Sequence, residues 1–162
     1  MNLTKAGAPT SGVRQVETAV IAGTITTAGN ATVTVTGAGI TGSPVAISVA
    51  LALNDTATLA AAKMAVALNA NAAVGALYVA TSSTTDLILT AIKSAANDAT
   101  LNIAYIDDTC VGLTADASSN NSTAGVRGDF RGADMLAYAL DTTNNAIYQN
   151  TGTRSSPTWT EI

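Results

Sequence analysis

The sequence predicts an α+β fold that is rich in β-structure, with one helix packed on a mainly antiparallel sheet and a short three-stranded C-terminal meander. Three observations lead to this prediction. β-branched and apolar residues alternate with a period of two along the first third of the chain, as in strands. One Ala-rich segment has helical spacing instead. Further strand-like runs follow it, and this order of elements favours an antiparallel sheet.

The first elements follow from local composition. Residues 1–16 contain glycine, proline and serine but almost no apolar periodicity, so we expect an extended arm. Alternation begins at Glu17 and resumes at residues 32–36, beyond the sequence Ala28-Gly29-Asn30. Because glycine and asparagine are typical turn formers, we expect a β-hairpin around them.

The next segments are a turn and a strand. Three glycines in residues 37–42 approach the spacing of a dinucleotide-binding fingerprint, but a strand rather than a helix follows them. Phosphate binding needs that helix N-terminus, so a turn between strands is predicted. In the strand at residues 45–53, positions 45, 47, 49, 51 and 53 are expected to share one face.

The one predicted helix covers residues 56–73. Asp55 or Thr56 can cap its N-terminus, and Gly75 is expected to end it. Lys63 lies off the apolar stripe. The residues at helical spacing, which we expect to face the core, are Leu59, Ala62, Val66 and Ala73.

Three strands are predicted after the helix, at residues 77–81, 87–92 and 101–106, with a tight turn at 82–86. The order β-β-β-α-β-β-β then defines an α+β module at residues 17–123. Its last nine residues are polar and are predicted to form a hinge that closes the module.

The tail, residues 124–162, is predicted to be a small β-meander that serves assembly or attachment. Its strands are expected at residues 135–140, 146–150 and 158–162, with turn formers between them. The sequence Gly125-Val126-Arg127 repeats Gly12-Val13-Arg14. This echo suggests that the module is an insertion into an element made of the arm and the tail. A three-stranded meander is too small to be stable alone, so a partner surface is expected.

Composition favours an assembly subunit over a free enzyme. Charged residues make up 11% of the chain and the net charge is −4, so much of the surface is expected to be covered by copies or a partner. A neutral soluble monomer is the alternative. The few basic residues form no stripe, which argues against nucleic-acid binding. Residues 45–53 are too short for a membrane span. No secretory signal is apparent, so assembly in the cytoplasm is expected.

We expect no catalytic residue, bound metal or cofactor. The chain has no histidine, which removes the commonest general base and metal ligand. Asp98, Asp107 and Asp108 are candidate calcium ligands, but their spacing fits no calcium motif, and solvated turn carboxylates are the preferred interpretation. The single Cys110 is expected to be a buried thiol. The tripeptide Arg127-Gly128-Asp129 matches a cell-adhesion motif that often occurs by chance.

Three motifs in the tail carry a family resemblance. They are Asp141-Thr142-Thr143-Asn144, Ile147-Tyr148-Gln149-Asn150 and Pro157-Thr158-Trp159. The tail resembles a module of head-decoration, head-fibre and tail-fibre proteins of tailed bacteriophages, in which a D-T-T-N turn, an (I/L)-Y-x-N strand and a P-T-W ending recur. A glycine usually follows that turn; here Asn145 stands there and can adopt the left-handed conformation.

Two further stretches are similar to phage structural proteins. The arm, at residues 7–12, is similar to what often precedes this tail module, and residues 32–36 and 96–103 look like Thr/Ala-rich domains of such proteins. The resemblance implies a non-enzymatic virion protein, either a capsid decoration (cement) or a head-fibre protein. It would be a homo-oligomer, expected to be a trimer, that binds the major capsid protein or another virion protein. The alternatives are a tail-fibre, neck or baseplate component and a host-glycan-binding module.

Overall fold

The computed structural model describes residues 12–128, 138–141, 144–153 and 158–162. The predicted class is confirmed, because the described chain is rich in β-structure, with one main helix and several antiparallel sheets. The elements are β1 Val16–Val20, β2 Gly23–Thr27, β3 Gly29–Thr36, β4 Val45–Leu51, α1 Ala57–Ala70, α2 Ala72–Gly75, β5 Tyr78–Ser83, β6 Asp86–Ala91, β7 Asn102–Asp107, β8 Val111–Leu113, β9 Asn120–Thr123, β10 Tyr138–Asp141, β11 Ala146–Asn150 and β12 Trp159–Glu161.

Two sheets and the helix α1 form most of the main core, with Ile25 of the two-stranded β2-β8 sheet and Val74 of α2 added to it. One sheet has the strand order β5-β6-β1-β9 and the other has the order β4-β3-β7. Both contribute alternate side chains to a single apolar cluster, and α1 packs against β4, β5 and β6. Tyr105 on β7 ties the sheets together, because its buried hydroxyl donates to the Val20 carbonyl at 2.8 Å and accepts from the Ala22 N–H at 3.2 Å.

The predicted hairpin around Ala28-Gly29-Asn30 is wrong. Strand β2 ends and β3 begins there without a turn; β2 pairs with β8, while β3 pairs with β4 and β7. The glycine serves a close approach instead, since a Cβ on Gly29 would lie 2.4 Å from the Thr109 carbonyl carbon. The Asn30 carbonyl accepts N–H groups of the loop before β8. Local turn propensity was overridden by this long-range packing.

The predicted inward-facing stripe of the helix is wrong at its two large residues, Leu59 and Val66, whereas Ala73 lies in α2 and packs against the core. The predicted Thr56 N-cap is confirmed, since its side chain accepts from the Leu59 N–H. Leu59 and Val66 are 49% and 70% exposed. Because the segment is apolar nearly all round, its sequence does not define one inward face. The core-facing residues are Ala60, Ala61, Met64, Ala65 and Leu68.

Two element ends differ from the prediction. Helix α1 ends before Asn71. The Asn71 side chain caps the four-residue α2 by accepting from the N–H groups of Ala73 and Val74. Gly75 therefore ends α2 rather than α1. Strand β4 ends at Leu51. The predicted inward face holds at positions 45–51, but Leu53 is 58% exposed.

The predicted hinge at residues 115–123 is largely ordered sheet structure. Asp116 bridges to Tyr105, and Asn120–Thr123 form β9, which pairs with β1. The polar composition suits an edge strand, and all four β9 side chains are exposed. The β5–β6 hairpin is confirmed, with Thr84 at a φ of 51° in its turn. The division into three parts at residues 16/17 and 123/124 stays a prediction.

Strands β2 and β8 approach each other at two glycines with positive φ. A Cβ on Gly112 (φ +124°) would lie 2.1 Å from the Thr24 carbonyl oxygen, and a Cβ on Gly23 would meet the Gly112 carbonyl oxygen at 2.0 Å. Gly42 (φ +76°) has open space around it instead. Substitution of Gly23 or Gly112 is therefore restricted by steric contact as well as by backbone conformation.

We predict that Gly112→Ala lowers the free energy of unfolding by about 3 kcal/mol, since it combines backbone strain with a steric clash. Gly42→Ala is the matched control and should lower it by only about 1 kcal/mol, because strain acts alone there. Urea unfolding measures both. Equal losses in the two variants would contradict the assigned contact.

Candidate assembly surface on the C-terminal meander

The tail strands form the predicted three-stranded antiparallel meander in the order β10-β11-β12. The first predicted strand begins at residue 135, and residues 135–137 lie outside the described chain. At the β10–β11 turn Asn145 has a φ of 52°, as expected for a residue that replaces glycine. Asn144 stabilises the turn through hydrogen bonds from its main-chain and side-chain nitrogens to the Asp141 carboxylate.

One face of the meander presents a row of exposed apolar side chains. Leu140 on β10 lies opposite Ile147 on β11, and the Ile162 N–H donates to the Ile147 carbonyl at 3.0 Å. These three side chains are 59%, 47% and 67% exposed. We call them the apolar row. Such a row across three neighbouring strands leaves apolar area in water that a partner can cover.

A second row on the same face is more polar. Tyr138 is 65% exposed and lies opposite Gln149, whose side-chain nitrogen donates to the Tyr138 hydroxyl at 3.0 Å. Thr160 on β12 completes this row. An apolar row flanked by aromatic and polar groups has the composition of a protein-binding surface.

The opposite face of the meander is more enclosed. Asn150 is fully buried and its side-chain oxygen accepts from the Gly152 and Thr158 N–H groups, both at 3.0 Å. Trp159 lies opposite Asn150 and is half-buried already in the single chain. Tryptophan fluorescence would therefore report on this enclosed face and not on the apolar row.

Among the described residues, the contacts between the meander and the rest of the chain include a hydrogen-bonded pair and an ion pair. Asn144 exchanges hydrogen bonds with Ser94, accepting from its N–H and donating to its hydroxyl, both at 3.0 Å. Lys93 and Glu161 form an exposed ion pair at 3.9 Å, a kind that contributes little stability. The Asn144–Ser94 contact is therefore the better-defined anchor.

The two echoed tripeptides lie side by side. Val13 and Val126 form an antiparallel bridge with reciprocal main-chain hydrogen bonds of 2.8 and 2.9 Å. Nearby, Gln15 is buried and exchanges hydrogen bonds with the main chain of Asp98 at 2.9 and 2.7 Å. The chain therefore enters and leaves the main core at neighbouring points, with the meander beyond the exit.

The three candidate calcium ligands do not come together around an open site. Asp98 accepts from the Ala38 N–H and from Thr100, and Asp107 accepts from the Gly112 and Leu113 N–H groups. Burial alone would raise the pKa of Asp98, but these hydrogen bonds outweigh it and lower the pKa. In the part of the chain that the structure describes, no three acidic or cysteine side chains converge as metal ligands would.

Glu17 is a buried carboxylate that the sequence did not single out. It is 2% exposed, and one oxygen accepts from the Ser119 hydroxyl at 2.6 Å while the other has no hydrogen-bond partner. Burial raises the pKa of Glu17, and the Ser119 bond opposes that rise. The sequence contains only a weak indication that Glu17 is buried. In an alternating strand Glu17 points to the same face as Ala19, and Ala19 is also buried.

A cavity of about 660 Å³ lies beside the loop that follows β6. Its lining is mostly alanine and aliphatic, and its polar residues are Gln15, Tyr78, Lys93, Asn97 and Asp98. Burial, and then the charges of Asp98 and Glu17, raise the pKa of Tyr78. Gln15 bonds to the main chain of Asp98, and the Asp98 carboxylate accepts from the Ala38 N–H and from Thr100, so both side chains are engaged in structural hydrogen bonds.

The remaining sequence motifs have structural places. Cys110 is buried beside Asp107, and burial together with that carboxylate raises the pKa of its thiol. The glycine-rich segment 37–42 forms turns between β3 and β4. Of the adhesion-like tripeptide, Asp129 lies outside the described residues. None of the helices in the described chain has the length and apolar character needed to cross a membrane.

No protein-family model matches the sequence, and no curated protein matches it.

We predict that the buried carboxylate of Glu17 makes stability fall as pH rises. A raised folded-state pKa means that the stabilising contribution is complete below the unfolded value of 4.5 and is lost as pH rises through the folded value. Glu17→Gln should therefore gain stability relative to the wild type between about pH 4 and about pH 8. Urea midpoints at both pH values measure this.

The exposed Glu161→Gln controls for the loss of one negative charge. The interpretation fails if Glu17→Gln differs from the wild type by the same amount at both pH values.

Proposed function

We propose that this chain is a non-enzymatic structural protein of a phage virion, which decorates or stabilises a capsid as a decoration or head-fibre protein. The observation that carries the proposal is the apolar row of the meander, Leu140, Ile147 and Ile162, which the single chain leaves exposed. The motifs that resemble phage head and fibre proteins lie in this same meander. A structural subunit needs a repeatable contact surface more than a catalytic centre.

The mechanism is non-covalent burial of the apolar row against another copy or against the shell. Full burial of an aliphatic side chain contributes about 2 kcal/mol, so three of them supply a useful but modest contact. Repetition over many sites on a particle turns a modest contact into stable attachment. The partners in this proposal are further copies, expected as a trimer from the resemblance, and the major capsid protein.

The alternatives differ from it in partner or in class. A tail-fibre, neck or baseplate component would use the same row against a different virion protein. A glycan-binding module needs exposed aromatic rings for stacking on sugars. Tyr78, the aromatic residue of the cavity, is only 7% exposed, so the cavity does not favour that alternative.

The double variant Leu140→Lys/Ile147→Lys tests the proposal. Both side chains are exposed, so the fold should persist while attachment weakens at least tenfold, because lysine cannot enter an apolar contact without losing hydration. The measurement is co-sedimentation with purified heads and, separately, purified tails of the phage that encodes the chain.

The matched control is Val79→Lys, which adds charge at a 48% exposed valine on β5. Attachment to heads that is lost in the double variant and kept in the control supports a capsid role, and attachment to tails alone supports the tail alternative. Undiminished attachment of the double variant to both would refute the role of the row.

A further inference from the structure

The register of the β4-β3-β7 sheet fixes the direction of the main-chain groups on β4. On β7 the N–H groups of Ile103 and Tyr105 point away from β3, since they donate to the Ser119 hydroxyl and the Asp116 carbonyl. Their β3 partners are Val35 and Val33. The main-chain groups of these two valines therefore point away from β7, towards β4.

The same alternation sends every second peptide group of β4 outwards. Val45, Ile47 and Val49 lie opposite the odd-numbered β3 residues and bond to them. The main-chain groups of Ala46, Ser48 and Ala50 consequently point to the open side of β4. No other strand of the described chain pairs there. All three side chains are small and exposed, so nothing bulky or charged obstructs an added strand.

An apolar groove runs beside this edge, between β4 and α1. It has a volume of about 500 Å³, and its helix side is formed by Leu59, Ala62, Val66, Ala67 and Ala70 together with Lys63. Leu59 and Val66 are the two residues that the sequence assigned to the core and that the structure leaves 49% and 70% exposed. The surface that was expected to face inwards therefore borders an unpaired strand edge.

The face formed by β4 and α1 carries no net charge. Lys63 pairs with the Asp55 carboxylate, and neither β4 nor the rest of α1 contains a charged residue. In a chain with a net charge of −4, this face can meet an identical face without repulsion. The charge pattern therefore fits a second copy of the chain.

The other long strand edges of the main core are partly occupied by other groups of the described chain. On β5 the main-chain groups of Ala80 are already bonded, because the Asn69 side chain donates to the Ala80 carbonyl at 2.7 Å and accepts from the Ala80 N–H at 2.8 Å. Residues 116–119 cover β7. β9 is open among the described residues but has only four residues, all polar. An identical β4 is thus the best-matched edge for β4 within the described chain.

We infer that two copies of the chain pair through β4, antiparallel, around a two-fold axis at Ser48. Ala46 then faces Ala50 of the second copy, and the two α1 helices lie on the same face of a continuous sheet, where Leu59 and Val66 cover each other. This contact goes beyond the proposed function and uses a surface other than the apolar row. Because the β4 contact joins two copies, it would link a copy in one meander-built trimer to a copy in another.

The size of the face sets the expected strength of the contact. A seven-residue strand and a 14-residue helix are each about 20 Å long, and together they present roughly 400 Å² per copy. A standard stable interface buries about 800 Å² per partner. The pair is therefore a weak, reversible dimer that covalent trapping should capture.

Cysteine trapping tests the pairing directly. Residues that face each other in a hydrogen-bonded antiparallel pair have Cα atoms about 5.5 Å apart, within the range that a disulfide spans. Under mild oxidation Ser48→Cys should give disulfide-linked dimers at least about tenfold faster than Ser82→Cys. Ser82 has the same parity as Ala80 on the β5 edge, where Asn69 is bonded, and is also exposed. The wild type, with only the buried Cys110, should stay unlinked.

The same cross-linking assay tests the register of the β4 pair and the role of the groove between β4 and α1. Ala46→Cys alone should link slowly, whereas the double variant Ala46→Cys/Ala50→Cys should link rapidly, because those positions face each other only in the proposed register. Val66→Lys in the Ser48→Cys background should slow linking roughly tenfold, and Val79→Lys should not.

Ser48→Cys linking no faster than Ser82→Cys would overturn the inference. So would rapid linking of Ala46→Cys alone, which would place the axis elsewhere. Leu140→Lys/Ile147→Lys in the Ser48→Cys background separates this contact from the meander, because linking should survive there even if attachment to particles is lost.

Discussion

The pairing of strand edges is the constraint on which the rest of this structure depends. An unpaired edge exposes main-chain donors and acceptors, so a chain must cover each edge, shorten it or use it. Here the Asn69 side chain of α1 occupies the β5 edge at Ala80, and residues 116–119 cover part of β7. β9 is short and polar. β4 is seven residues long, uncharged and, within the described chain, open on one side.

The low charge of the chain gives the uncovered surfaces their importance. With few charged groups to keep copies apart, exposed apolar area is more readily buried against a partner. Two such areas have a defined geometry: the apolar row of the meander and the groove between β4 and α1. The first supports attachment in the proposed function, and the second supports pairing between copies. They lie on different sheets and can act independently.

Sequence patterns correctly predicted the features of the fold that depend on interactions between residues close together in the chain. The fold class, the Thr56 cap, the β5–β6 hairpin, the meander and the left-handed Asn145 all follow from spacing and turn chemistry. The sequence did not predict partners distant in the chain: Gly29 looked like a hairpin turn, but it permits contact with Thr109. The buried face of α1 was also missed, since an Ala-rich helix has apolar residues on every side and only tertiary packing selects Met64 and Leu68.

Hydrogen–deuterium exchange measured before and after assembly tests the central claim most directly, because it reports main-chain protection segment by segment. The account predicts that assembly slows exchange at β4 and across the β10–β11 hairpin, where edge or apolar surface becomes covered. No change is expected at Ala80 of β5, whose main-chain groups Asn69 already bonds. Protection that appears at β5 and is absent from both β4 and the meander would contradict the account.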